Sequence, residues 1–253
     1  MPAAPRFLAI ETSTDRLSLA LGTGAPGEAA PQHQGPGGAQ ASTELLPQVQ
    51  RLLAEAGWAL SDLQAIAFGR GPGSFTGLRT ACAVAQGLAY GTRTPEHPDG
   101  LPLLAVDSLL ALAEQARADD AADGQPPPAH IVALLDARMD EIYLSAYALK
   151  GGALQALGPA RLCAPADLAP WLQAQGLGAG SNTLLAGNAF APYAAALGEL
   201  PGRRREALPS AAALLRLAPG LLAAGAAVAA RDALPLYVRD KVARTTAERE
   251  SQA

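Results

Sequence analysis

The chain has 253 residues, of which 49% are hydrophobic, and its formal net charge is −4. This length and apolar content allow one large domain or two of ordinary size, each with a substantial core. The acidic balance, with only Lys150 and Lys241 as lysines, argues against a free-standing nucleic-acid binder, which needs a basic face to neutralise phosphates.

No secretory signal precedes the first apolar run, and no segment is long enough and free enough of charge to cross a bilayer. The stretch Leu214–Ala230 comes nearest, but a charge, a proline and a glycine interrupt it. Cys82 and Cys163 are far apart and lie beside apolar residues, so we expect two buried, reduced thiols. The chain is therefore predicted to be soluble and cytoplasmic, with no membrane partner.

Two short apolar runs, Phe7–Ile10 and Leu17–Leu21, flank a polar turn and predict a β-hairpin. A third strand is expected near Ala29. A helix is expected from about Ser42 because apolar residues then recur at helical spacing. Gly57 is expected to end that helix.

The next strand, Leu63–Phe68, leads through a glycine- and proline-rich turn into a helix predicted over Phe75–Tyr90. Arg79 is the only charged residue of that helix, so it cannot be an ordinary amphipathic surface helix. The turn matches neither a Walker loop, nor GxGxxG, nor the nucleophile elbow GxSxG. Ser74 and Thr76 are accordingly predicted to be N-cap residues rather than catalytic groups.

Two rows of small residues run along the predicted helix at intervals of four positions. One row can pack on a sheet while the other faces a partner. The residues alone leave open whether the apolar surfaces of this helix and of the helix predicted from about Ser42 are buried entirely inside one chain. The two rows are Gly77, Ala81, Ala85 and Ala89, and Ala83, Gly87 and Gly91.

The polar segment at 92–101 is the clearest boundary, and alternating strands and helices continue beyond it, which predicts an α/β architecture in two halves. The predicted strands of the second half are Leu103–Val106, Ile131–Leu135, Glu141–Leu149 and Thr183–Ala186. Its predicted helices begin at Asp107 or Ser108 and run to about Arg117, then cover Pro165–Gln175, Phe190–Leu197, Ser210–Leu217 and Leu221–Arg231.

Candidate catalytic or metal-binding groups are few. The three histidines, His33, His97 and His130, have no second ligand at helical or hairpin spacing and are expected in exposed loops. A charged hairpin tip containing Asp136, Arg138, Asp140 and Glu141 is expected to be solvated. No Ser/His/Asp constellation can be assembled. We therefore predict no metal site and no catalytic residue.

Four segments resemble the TsaB (YeaZ) family, in the right order and at roughly the expected spacing across most of the chain. Within the second of them, GPGSFTGLR is highly specific for that family. The segments are LAIETSTDRLSLAL (Leu8–Leu21), GRGPGSFTGLRTACAVAQGLA (Gly69–Ala89), LLDARMDEIYLSAY (Leu134–Tyr147) and PLYVR (Pro235–Arg239).

The resemblance implies an actin-like (ASKHA) fold of two α/β domains with mixed sheets flanked by helices. An N-terminal domain is expected at 1–102, a C-terminal domain at 103–240, and a disordered tail at 241–253. The family's role is to support formation of threonylcarbamoyladenosine (t6A) at adenosine 37 of tRNAs that read codons beginning with A. Its members are non-catalytic partners of TsaD, the threonylcarbamoyl transferase, and TsaE, a P-loop ATPase, joins them.

The resemblance also implies that a member pairs with itself when alone, contacts TsaD through the two helices of its first domain, and touches tRNA only indirectly. The interface residues carried over are Leu45, Leu46, Val49, Leu53, Leu78, Arg79, Cys82, Ala83 and Gln86. Two alternatives remain for the Arg79 side chain: it contacts a carboxylate of the partner, or it extends into solvent.

Glu11, Thr12, Ser13 and Thr14 occupy the place where actin-like ATPases hold a phosphate group, so they are candidate nucleotide-proximal residues. No intrinsic cofactor is implied, and ATP or ADP at the junction with TsaD is left open. The alternative function is an actin-like ATP-dependent transferase or kinase acting on its own. The absence of phosphate-loop signatures argues against this alternative. So does the first predicted helix, which lacks the histidine pair of TsaD-like chains.

Overall fold

The structure, a computed structural model, describes residues 4–239, so the predicted disordered tail at 241–253 lies outside the described residues. Two mixed β-sheets with flanking helices form the described chain, which confirms the predicted fold class.

The first sheet has five strands in the order β3-β2-β1-β4-β5. The predicted hairpin is present as the antiparallel pair β1 and β2, whereas β4 and β5 extend the sheet in parallel on the other side of β1. The third strand begins at Gln32, slightly later than expected. The strands are β1 (Phe7–Glu11), β2 (Arg16–Gly22), β3 (Gln32–Pro36), β4 (Ala65–Gly71) and β5 (Leu103–Asp107).

The second sheet repeats this arrangement. Its order is β8-β7-β6-β10-β11, with β6–β7 and β7–β8 antiparallel, β6–β10 and β10–β11 parallel, and β9 paired additionally with β7. The two halves therefore share one strand order and one pattern of strand directions. The strands are β6 (His130–Asp136), β7 (Ile142–Lys150), β8 (Ala153–Ala156), β9 (Arg161–Cys163), β10 (Thr183–Gly187) and β11 (Arg203–Glu206).

Within residues 4–239, six α-helices form three helical layers around the sheets. Helices α1 and α2 cover the outer face of the first sheet, α3 and α6 lie between the sheets, and α4 and α5 pack on the outer face of the second. The helices are α1 (Ala39–Ala56), α2 (Phe75–Tyr90), α3 (Ser108–Ala122), α4 (Leu168–Ala174), α5 (Ala194–Leu197) and α6 (Ala211–Ala223).

The predicted domain division at residue 102 does not follow the sheets. Strand β5 pairs with β4 and so belongs to the first sheet. Helix α6 packs on β1, β2 and β4, which brings a late part of the chain back to the first half. A boundary placed in a polar loop misses this return because it is set by long-range packing, which leaves no mark on the loop's composition.

Two helix predictions also need correction. Helix α1 starts at Ala39, earlier than expected, because Gly38 is its N-cap residue and contributes no side-chain hydrogen bond that a sequence pattern could reveal. Its end at Gly57, in the left-handed conformation, agrees with the prediction. The two helices expected after Ser210 are one helix, α6, and Arg231 lies in a short 3₁₀ turn instead.

Helix α2 has the predicted bounds, and the hydroxyl oxygen of Ser74 accepts the backbone N–H of Gly77 at 3.4 Å as the expected N-cap. The two rows of small residues face opposite ways. Gly77, Ala81, Ala85 and Ala89 are all buried, whereas Ala83, Gly87 and Gly91 are all exposed. The outer row thus leaves a smooth, uncharged strip on the molecular surface.

The start of α2 is fixed by the turn that follows β1. The N–H of Ser74 donates to the carbonyl oxygen of Ser13 at 2.7 Å, and the Thr12 hydroxyl donates to the carbonyl oxygen of Gly77 at 2.7 Å. A Cβ atom on Gly77 would overlap the Thr12 carbonyl oxygen. Only glycine therefore allows α2 to approach β1 so closely.

This contact predicts opposite effects for one substitution at two glycines of α2. Gly77→Ala should destabilise the protein by about 1–3 kcal/mol, because the added methyl group has no room. Gly87→Ala should stabilise it by about 0.5–1 kcal/mol, since that Cβ would meet open space in a helix interior. Urea unfolding of both variants measures this, and equal effects at the two sites would contradict the account.

Candidate functional site

The turn after β1 buries a carboxyl group without a cation. Glu11, Thr12 and Ser13 are at most 2% exposed. The N–H of Ser13 donates to Glu11 Oε1 at 2.6 Å, and the Ser108 hydroxyl donates to Glu11 Oε2 at 3.3 Å. Gly69 packs against this carboxyl group, where any side chain would overlap it. Burial raises the pKa of Glu11, and its hydrogen bonds oppose that rise only in part.

A cavity of about 550 Å³ lies between the two halves of the chain. Residues that follow β1, β4, β6 and β10 line it, so it sits at the carboxyl ends of parallel strands, where α/β proteins commonly bind ligands. Ser13 and Thr14 belong to the lining, whereas Glu11 and Thr12 lie behind it. The nucleotide-proximal role of these four residues stays a prediction.

The hairpin between β6 and β7 forms one wall of this cavity. The expectation of a solvated tip is wrong for Asp136, whose side chain is 5% exposed and accepts the Tyr193 hydroxyl at 2.7 Å. Burial and this hydrogen bond raise the pKa of Tyr193 to about 12. Arg138 and Asp140 are exposed, as expected, and both have φ near +60°.

The predicted interface residues divide into two groups. Leu45, Val49, Leu78 and Cys82 are no more than 4% exposed and pack within the chain, because the wide apolar arc of each helix is used mainly against the first sheet. The interface role of these residues stays a prediction. Leu46, Arg79 and Ala83 are exposed, and Leu53 is half-buried.

Gln86, another of the predicted interface residues, is half-buried and makes an internal contact. Its side-chain nitrogen donates to the carbonyl oxygens of Ala230 and Ala233 at 2.9 and 3.0 Å. The thiol of Cys82 also points to the Ala233 carbonyl oxygen, at 3.4 Å. The segment that follows α6 therefore lies along one side of α2 and supports it.

Over residues 4–239, no three His, Cys, Asp or Glu side chains come together in a group able to hold a metal ion. None of the helices in this range has both the length and the apolar character needed to cross a membrane. His33 and His130 are half-buried on β3 and β6 instead of lying in exposed loops, and both cysteines are free and buried, as expected.

The chain is similar to a known protein family and to solved structures. The family model for TsaD, tRNA N6-adenosine threonylcarbamoyltransferase, matches residues 30–246. The crystal structure of YeaZ from Pseudomonas aeruginosa superposes with a TM-score of 0.75 at 36% identity, covering 92% of this chain and 99% of that one. A second Pseudomonas aeruginosa structure, described as similar to the peptidase YeaZ, gives 0.77 at 36% identity, covering 93% and 100%.

Curated relatives match over shorter stretches. The tRNA threonylcarbamoyladenosine biosynthesis protein TsaB of Escherichia coli is 38% identical over 146 residues, which are 56% of this chain and 54% of the relative. The protein of that name from Haemophilus influenzae is 41% identical over 101 residues, 40% of this chain and 37% of the relative. The chain thus spans about half the length, or less, of these curated relatives.

The duplicated sheets and their flanking helices are those of an actin-like α/β protein. Within that class, the chain belongs to the TsaB (YeaZ) family, as its motifs indicated.

The sequence predicted no individual role for one exposed residue that lies beside the start of α2. Tyr237, in the PLYVR segment, is 46% exposed and contacts Arg79 and Phe75 at the start of α2. The motif itself was a signal, but 158 residues separate Tyr237 from Arg79, and no local pattern connects them.

The buried carboxyl group predicts a specific pH dependence of stability. Because the pKa of Glu11 is raised above its unfolded value of about 4.3, its contribution is full below that pH and is lost as the pH rises through the folded pKa. Glu11→Gln keeps an oxygen for the Ser13 N–H and removes the titration. The free energy of unfolding of the wild type, minus that of the variant, should fall as the pH rises above about 4.3. Urea unfolding across this range measures it, and a constant difference would contradict the account.

Proposed function

We propose that this chain is a non-catalytic subunit that binds a TsaD-type threonylcarbamoyltransferase and activates it for t6A formation at adenosine 37 of tRNAs reading codons that begin with A. The observation that carries this proposal is the outer face of α1 and α2. We call this surface the partner face and define it by the exposed residues Leu46, Phe75, Arg79, Ala83, Gly87 and Tyr90.

The partner face is unusual for a surface in water. Leu46, Phe75 and Tyr90 are large apolar or aromatic side chains that are 45%, 37% and 64% exposed. Between the two aromatic residues, the methyl group of Ala83 and the absence of a side chain at Gly87 allow another helix to come close. Exposed apolar groups around a smooth strip are typical of protein interfaces, in which a few central residues contribute most of the affinity.

The names of the relatives support the pathway. The Escherichia coli and Haemophilus influenzae relatives are named for threonylcarbamoyladenosine biosynthesis, and the matching family model describes the transferase TsaD. From these names we propose a TsaD-type subunit as the main partner. On the family resemblance we further propose TsaE as an additional component and self-pairing through the same face when the chain is alone. Contact with tRNA is proposed to be indirect, in keeping with the net charge of −4.

We assign the catalytic transfer of the threonylcarbamoyl group to the TsaD-type subunit rather than to this chain. Glu11, the carboxyl group among the four candidate nucleotide-proximal residues, is turned inward and held by Ser13 and Ser108. We therefore propose that the chain alone holds no cofactor and that ATP or ADP binds at the junction with the TsaD-type subunit. ATP hydrolysis by the isolated chain, lost in Thr12→Ala, would overturn this assignment.

One pair of matched substitutions tests the partner face. Ala83→Glu places a charge in the exposed strip of α2, whereas Ala169→Glu places the same charge on an exposed position of α4, in the second half. Ala83→Glu should weaken binding to the TsaD-type subunit at least about 30-fold and reduce t6A formation in the reconstituted system. Ala169→Glu should change neither.

Calorimetric titration measures the affinity, and thermal unfolding of both variants is the control. The proposal fails if Ala83→Glu binds as tightly as the wild type. It also fails if its loss of binding merely parallels a loss of melting temperature.

A further inference from the structure

The PLYVR segment, Pro235–Arg239, connects the two halves of the molecule beside α2. The N–H of Leu236 donates to the carbonyl oxygen of Arg70 at 2.7 Å, at the end of β4. Val238 packs in the apolar cluster of the second half, and Arg239 pairs with Glu141 on the β6–β7 hairpin. Both ends of the segment are thus held, and the position of Tyr237 between them is fixed.

Tyr237 completes a cluster with two residues of the first turns of α2. Its hydroxyl oxygen accepts the Nε–H of Arg79 at 3.1 Å. The Arg79 guanidinium carbon lies 3.9 Å from the centre of the Phe75 ring, and the Phe75 and Tyr237 ring centres are 5.4 Å apart. We call Phe75, Arg79 and Tyr237 the anchor cluster.

The anchor cluster orients a guanidinium group without neutralising it. Tyr237 and Phe75 offer a hydroxyl and aromatic rings but no negative charge, and within residues 4–239 Arg79 forms no ion pair with a carboxylate. Among the described residues only its Nε–H has an acceptor, so the four N–H groups of the two terminal nitrogens remain for another one. Their planar geometry suits a carboxylate, and stacking restricts the side chain before binding.

We infer that the anchor cluster is a specificity element of the partner face and receives a carboxylate side chain of the protein partner. This inference rests on the proposed function and adds a third chain segment to the surface. The cluster continues the exposed strip of Ala83 and Gly87 along the same helix. Tyr237 acts as a positioning residue, because it reaches the carboxylate only through Arg79.

A protein carboxylate suits this site better than a tRNA phosphate. A surface that binds a nucleic-acid backbone neutralises several phosphates with several cations, whereas α2 carries one charge between Phe75 and Tyr90, and the whole chain is acidic. Along α2 the cluster is followed by the small residues Ala83 and Gly87, and small or apolar neighbours are typical of the arginine anchors of protein interfaces.

The test compares two arginines that each stack on an exposed aromatic ring. Arg79 stacks on Phe75, and Arg93 stacks on Tyr90 with 4.5 Å between its guanidinium carbon and the ring centre. Arg79→Met should weaken binding to the TsaD-type subunit about 30-fold, because a partner carboxylate loses its counter-charge. Arg93→Met should leave the affinity within about twofold, within the spread expected of surface substitutions. Equal losses would indicate general charge attraction and would overturn the inference.

A double-mutant cycle tests the positioning role of Tyr237. Tyr237→Phe keeps the ring beside Phe75 and removes only the hydroxyl, so it should weaken binding about fivefold. The same substitution in the Arg79→Met background should cause no further loss. Additive effects of the two substitutions would contradict the assignment. If Arg79→Met fails to fold, Arg79→Lys and Tyr237→Phe carry the test, since both keep the local packing.

Two further outcomes separate this inference from the proposed function. If Ala83→Glu abolishes binding while Arg79→Met and Tyr237→Phe bind normally, the anchor cluster is rejected and the partner face stands. If none of the three variants affects binding, the proposed function itself is rejected. If Arg79→Met lowers the affinity of the assembled complex for tRNA but not that of the two subunits for each other, the acceptor is a phosphate and the inference is overturned.

Discussion

The close contact between the turn after β1 and the first turn of α2 determines the rest of this structure. Ser13 and Thr12 hydrogen-bond the main chain at Ser74 and Gly77, and the absence of a side chain at Gly77 makes the approach possible. Because these bonds fix both the position and the rotation of α2, one row of small residues packs on the sheet and the other faces outward. The polar turn after β1 and the glycine-rich turn before α2 are the two most conspicuous motifs of the chain, and they form the two sides of one contact.

The two halves share a sheet topology but differ in their outer layers, and this difference supports the proposed partner face. The first sheet carries long outer helices, α1 of 18 residues and α2 of 16, whereas α4 and α5 on the second sheet have 7 and 4. A long, smooth helix pair on one half alone gives the molecule one face suited to docking another helical surface. The segment after α6 supports that face through Gln86 and Tyr237 and ties it to the hairpin beside the cavity.

Residues adjacent in the sequence were enough to predict helix α2 and its N-cap. The bounds of α2 and the capping by Ser74 follow from a glycine-rich turn, a hydroxyl side chain and an apolar helix, all of which are adjacent in sequence. Strand β11, with the sequence RRRE, could not be predicted, because its strand character comes from pairing with β10 rather than from its own residues. The late helices were misassigned because Pro219 is accommodated inside α6.

The candidate site was harder to predict than the fold for a geometric reason. Leu45 and Val49 belong to an apolar arc wide enough for either the sheet or a partner, and only packing shows that the sheet takes them. The family resemblance pointed to α1 and α2 but could not tell their inner residues from their outer ones. Contacts made by the end of the chain, such as that of Tyr237 with Arg79, depend on a return path that no sequence pattern records.

Hydrogen–deuterium exchange on the intact chain, with and without the TsaD-type subunit, tests the central claim most directly. If the outer face of α1 and α2 is the docking surface, amide exchange should slow in residues 39–56 and 75–91 when the partner is added, and it should stay unchanged in α4. Slower exchange confined to the second half, or no change in α2 at partner concentrations that support t6A formation, would contradict the account.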